Sequence, residues 1–175
     1  MIAYDFVPAA SASLDELQTD VIVLPFFSDE RPLRGAAGLI DWRLCGALSR
    51  KLMAGYLLGT FGEKALLMNP DKLKSERLLL IGLGERASFD AGVARESCAL
   101  ISEALRSAKV STAALALPGR SLGLVTALEA MEAWLAACPA DSALEEISII
   151  ELAQEHRALD ALFDGLRRQA ESPLD

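Results

Sequence analysis

The sequence predicts a three-layer α/β fold, with a mixed but mostly parallel sheet flanked by helices. Three patterns predict it. Short apolar runs alternate with stretches of helical periodicity along the whole chain. The run Asp20-Val21-Ile22-Val23-Leu24-Pro25-Phe26 is apolar after its first residue, which suits a strand buried on both faces. Runs 63–68 and 77–81 are separated by a polar connection that permits an antiparallel hairpin, which makes the sheet mixed.

The elements follow in order. Residues 2–7 read as a first strand, and 11–18 as a short helix or a loop. After the strand at 20–26 comes a turn-rich connector, 28–38, with Pro32, Gly35 and Gly38. Ile40, Leu44, Ala47, Leu48 and Leu52 recur at helical spacing, so 39–54 reads as one helix. Gly55, Gly59 and Gly62 break the pattern before the two hairpin strands, which Asn69-Pro70 and the polar residues to Glu76 connect. Gly82-Leu83-Gly84 ends the second of them. Asp90 is the expected N-cap of a helix to Ala108, with Val93, Ser97, Leu100, Ile101, Ala104 and Leu105 on one face. A strand at 112–117 leads into the turn Pro118-Gly119-Arg120-Ser121. Leu124, Leu128, Met131 and Leu135 mark the next helix, which Pro139 ends. Residues 146–152 form a final strand, and Leu159, Leu162, Phe163 and Leu166 stripe a last helix. The expectation is a single domain over 1–170, with 171–175 as a tail or linker stump.

A chain of 175 residues suits one domain with a substantial core. The hydrophobic content of 52% and the mean hydropathy of +0.29 exclude disorder. A net charge of −8 and a pI near 4.7 oppose broad nucleic-acid binding and anionic membrane surfaces. No start resembles a targeting segment, and no apolar run approaches the roughly 20 residues that span a bilayer. Cys45, Cys98 and Cys138 are widely spaced, lie in helix-like stretches and form no CxxC, so they read as small hydrophobes in a reducing cytoplasm.

Chemistry is sparse. Gly82-Leu83-Gly84-Glu85-Arg86-Ala87 fits a dinucleotide fingerprint formally, which leaves an NADP reading distant. Its context fails: the helix starts near Asp90, and no acidic ribose ligand follows the next strand. His156, the single histidine, reads as an exposed helix-start residue, and no G-x-S-x-G accompanies it. Adjacent carboxylates such as Asp15-Glu16, Asp29-Glu30 and Glu145-Glu146 point apart and read as solvated surface. Lys72, Lys74 and Arg77 read as a solvated turn, and Trp42 and Trp134 as core or interface anchors.

A resemblance adds to this. Arg77-Leu78-Leu79-Leu80-Ile81-Gly82-Leu83-Gly84-Glu85 with its following Ala-rich helix resembles the amino-terminal domain of the leucyl aminopeptidase (M17 metallopeptidase) family. So do Asp20-Val21-Ile22-Val23-Leu24-Pro25, then Leu33-Arg34-Gly35-Ala36-Ala37-Gly38-Leu39-Ile40-Asp41, and Phe61-Gly62-Glu63. The resemblance implies a macro-domain-like fold and an assembly or regulatory module. It implies no catalytic residue, metal or cofactor in this chain, because the family's metal ligands and catalytic Lys and Arg belong to a carboxy-terminal domain. Expected partners are a second copy or an aminopeptidase catalytic domain, and the chain is either a stand-alone homologue or an excised piece. The macro-domain relationship implies an alternative, a module for ADP-ribose-like nucleotides. Its ligand residues would be Asp20, Gly35 and Gly38, with a second loop of Gly119, Arg120, Ser121 and Gly123 around an anion. Here Leu24-Pro25-Phe26-Phe27 replaces the polar Asn-Ala-Ala-Asn tract of many macro domains, and a cleft filled by Phe26 and Phe27 would exclude the alternative.

Overall fold

A computed structural model describes residues 2–68, 72–138 and 143–171, with side chains of the last helix to residue 165. Six strands form one sheet: β1 (Ala3–Pro8), β2 (Val21–Phe26), β3 (Lys64–Met68), β4 (Arg77–Gly82), β5 (Thr112–Ala116) and β6 (Glu146–Glu151). Their order is β1-β6-β5-β2-β4-β3. All neighbours are parallel except β3, which runs antiparallel to β4 with Leu66 opposite Leu79. The sheet is therefore mixed and mostly parallel.

Alternation along the buried strands divides the core into two layers. Val21, Val23, Leu79, Ile81, Leu115, Ile147 and Ile149 face α4 (Ala91–Ser107), α5 (Ala127–Ala137) and α6 (His156–Glu171). Ile22, Leu24, Phe26, Leu78, Leu80 and Ile150 face α1 (Ser11–Glu16), α2 (Gly35–Arg43) and α3 (Ala47–Met53). Asp90 caps α4 by accepting from the Val93 N–H at 2.9 Å. Thr126 and Glu129 form a reciprocal capping box on α5.

Three expectations are corrected. The single helix over 39–54 is two helices, because Cys45 (φ 55°) and Gly46 (φ 76°) adopt left-handed backbone between them. Buried Asp41 fixes the break, since its carboxylate accepts from the N–H groups of Leu48 at 2.8 Å and Ser49 at 3.0 Å and from the Ser49 hydroxyl. Cys45 consequently lies exposed in a turn rather than in a helix. Finally, α5 turns only part of the expected face inward: Met131 is buried and Leu135 packs partly buried against the core. Leu124 and Leu128 are exposed, while Ala127, Ala130, Met131, Ala133 and Trp134 are buried. Small side chains let α5 approach α4 closely. Trp134 fills the core and its Nε1–H donates to the Tyr4 hydroxyl at 3.2 Å. Trp42 has the opposite fate, at 73% exposure. The Asn69-Pro70 turn, Pro139, the Leu166 side chain and 172–175 lie outside the described residues.

Candidate functional site

The loops after β2 and β5 leave the sheet toward opposite faces, the first to α2 and the second to α5. A crevice opens at such a switch point, at the carboxyl ends of the strands. Here it holds about 280 Å³, near the lower limit of ligand pockets. Pro25 of β2, Ala116 of β5 with the following Leu117, and Ile150 and Glu151 of β6 form its floor. Arg34, Gly35, Ala36 and Ala37 at the start of α2 form one wall, and Arg120 and Ser121 the other. Gly35 (φ 56°) lies so near that an added Cβ would sit 3.1 Å from the Ser121 Cβ.

Two internal carboxylates control the charge of this cleft. Glu151 receives Arg120 through both oxygens, from Nε at 2.6 Å and from the second guanidinium nitrogen at 3.1 Å. Arg120 also donates to the Val125 carbonyl at 2.7 Å. Glu30 is buried and sits at the start of α2, where it accepts from the N–H groups of Phe27 at 3.2 Å and Arg34 at 2.8 Å and from Ser121. Burial raises its pKa above the ordinary 4.5 against those hydrogen bonds. The positive end of α2 thus already meets a carboxylate, and Arg120 is already paired. The Arg34 side chain lies exposed at the rim.

Of the residues expected to bind a ligand, Gly35, Arg120 and Ser121 line the cleft. Asp20 does not. It precedes β2 at the amino ends of the strands, where its carboxylate accepts from Ser111 N–H at 2.8 Å and Thr112 N–H at 3.1 Å. Those amides, Thr112 before Ser111 in effect, hold its carboxyl below the ordinary 3.8. Gly38 faces the Leu33 carbonyl, Gly119 packs against the Phe89 ring, and Gly123 opens to solvent. Phe26 and Phe27 are buried outside the cleft, Phe27 in an edge-on contact with Phe89 at 5.1 Å. The glycines of Gly82-Leu83-Gly84 serve chain crossing, since a Cβ on Gly82 would lie 2.1 Å from the Thr60 carbonyl. His156 is half-buried, with its ring 5.7 Å from Phe6 and Nε2 at 3.1 Å from the Glu151 carbonyl.

Sequence reasoning missed Arg34 and Glu151, and it read Glu30 as solvated surface although the residue is buried and held by hydrogen bonds to the chain around α2. Glu151 carried a usable signal, an acid at the carboxyl end of a buried strand. Among the described residues, no three His, Cys, Asp or Glu side chains converge as a metal centre would need, and no helix is long and apolar enough to cross a membrane.

Residues 23–137 match the model of the cytosol aminopeptidase family, N-terminal domain. The chain belongs to this family. A probable cytosol aminopeptidase of Pseudomonas syringae pv. tomato is 40% identical over 75 residues, covering 43% of this chain and 15% of the relative. Another, of Syntrophotalea carbinolica, is 34% identical over 110 residues, covering 62% and 22%. The chain therefore matches a fifth or so of the length of these aminopeptidase relatives. The fold is similar to that of a mutant tomato leucine aminopeptidase (TM-score 0.63, 17% identity, 91% of this chain and 35% of that one). It is also similar to a Trypanosoma brucei macrodomain in complex with ADP (TM-score 0.71, 14% identity, 91% and 68%). The macro-domain-like α/β fold is thereby shown for this member of the family.

Proposed function

We propose that this domain is a non-catalytic module of the cytosol aminopeptidase family that docks on an aminopeptidase catalytic domain. The observation that carries the reading is the family match over 23–137, set against relatives of which the matched segment is 15 to 22%. The occupant that those proportions favour is the remainder of such a protein. The exposed sheet edge supports the reading. The side of β3 that faces the α4 layer is uncovered, with Leu66 50%, Met68 72% and neighbouring Phe61 45% exposed. Exposed apolar groups on an edge strand favour a protein contact.

The test mixes the chain with the catalytic portion of the Pseudomonas syringae relative, produced without its matched segment, and follows light scattering. A joint species is expected, weakened by Leu66→Glu with Met68→Glu. A strict monomer that ignores this partner overturns the reading, and assembly into a dimer of this chain alone would replace it with self-association.

The open cleft supports a second reading, binding of an ADP-ribose-like nucleotide. Isothermal titration with ADP-ribose should then give saturable heat that Arg34→Glu abolishes and Asp20→Ala leaves intact. Absence of heat at millimolar ligand removes this reading.

A further inference from the structure

The α2–α3 region inverts the charge of the molecule. Residues 35–53 contain three cations, Arg43, Arg50 and Lys51, against one carboxylate, Asp41, in a chain of net charge −8. Asp41 is buried and consumed by the cap on α3. Arg43 is paired with Asp15 at 2.8 Å. Among the described residues, no carboxylate lies within ion-pair distance of Arg50, Lys51 or Lys72. Both Arg50 and Lys72 instead turn to the exposed Cys45. Arg50 donates to its carbonyl at 2.6 Å, and Lys72 Nζ stands 3.1 Å from its Sγ.

Large apolar side chains are interleaved with these cations. Trp42 is 73%, Met53 84% and Tyr56 79% exposed. Trp42, Cys45, Lys72 and Leu33 line a shallow hollow of about 600 Å³. Met53 lies three residues beyond Arg50 on α3, so the two share one surface. Exposed Trp, Tyr, Met and Arg are the side chains that anchor protein interfaces.

We propose that the α2–α3 face docks an acidic polypeptide segment that presents apolar side chains. The occupant follows from charge complementarity. An anionic partner is repelled by most of this surface and steered to this face. Its carboxylates meet Arg50, Lys51 and Lys72, while an apolar side chain enters the hollow beside Trp42. An anionic bilayer meets the net negative charge of the whole domain instead. The proposal is independent of the edge-strand contact and of the cleft. Cys45 reports on occupancy, because Lys72 beside it holds its thiol below the ordinary 9.0 and favours the reactive thiolate.

The test is fluorescence anisotropy of a fluorescein-labelled peptide of repeated Glu-Glu-Leu-Phe units added to the full chain. Saturable binding is expected, weakened by added salt. Arg50→Glu with Lys51→Glu should weaken it about tenfold or more, and Trp42→Ala should do the same. Bound peptide should also slow the reaction of Cys45 with a thiol reagent. Circular dichroism checks that the variants fold, as expected for solvent-facing side chains. Absence of saturable binding, binding indifferent to these variants, or preferential capture by phosphatidylglycerol vesicles overturns the proposal.

Discussion

Arg120 shows how a residue chosen for one role can be committed to another. In sequence it follows a glycine after a buried strand, as an anion-binding cation would. In the structure its guanidinium is bound by Glu151, whose side chain is 4% exposed. Removing one partner of a buried pair leaves an uncompensated charge. Arg120→Met should therefore cost about 3 kcal/mol in urea unfolding, and Glu151→Leu in the same chain should recover much of the loss. Equal loss in both variants would mean that the pair is incidental. Asp20 gives a second residue-scale prediction through pH. Its folded pKa lies below the unfolded 3.8 because Thr112 and Ser111 donate to the carboxylate. Its contribution is present above pH 3.8 and is lost as pH falls below that value. Asp20→Asn should cost about 1 kcal/mol or less near neutrality, given its solvent exposure, and the gap should close on acidification. A gap that persists unchanged in acid would contradict this assignment.

At the scale of elements, legibility in the sequence followed the strength of local signals. The strands at 20–26 and 77–81 were readable because burial on both faces leaves no polar position. Asp90 was readable because an acid before a helical period is a cap by its own chemistry. The α2–α3 break was not readable, because Leu44, Ala47, Leu48 and Leu52 keep helical spacing across it. The interruption rests on Cys45 entering left-handed backbone, which no local preference of cysteine announces. The α5 face was misread because leucine was weighted over alanine, whereas the contact with α4 selects small side chains. The cleft was half legible: glycine turns marked Gly35 and Ser121, but the contacts of Glu30 with Ser121 and of Glu151 with Arg120 join residues distant in sequence. Asp41 tests the break directly. Asp41→Ala leaves the first amides of α3 without an acceptor, which should cost about 1 to 2 kcal/mol. Chemical shifts should show fraying of α3 with the sheet retained, and an unaffected α3 would place the break elsewhere.

At the scale of the molecule, the family match and the folded unit have different limits. Residues 23–137 contain most of β2 and all of β3, β4 and β5, but β6 and β1 complete the sheet beside β5. The last helix then closes the α4–α5 layer. Leu159 of α6 is fully buried, and Phe163 packs its ring at a tilt against Tyr4 at 5.0 Å and Phe6 at 5.7 Å, both on the edge strand β1. The folding unit we propose therefore runs through α6, to about the 1–170 bounds expected from sequence. Truncation after Glu155 tests it. Loss of the buried Leu159 and of the Phe163 contacts should lower stability by about 3 kcal/mol or more, from the apolar area returned to water. The urea midpoint should fall, and β1 amides should exchange faster than those of β2, because β1 loses its cover while β2 keeps neighbours on both sides. An unchanged midpoint would make α6 an appendage and shrink the domain toward the limits of the family match.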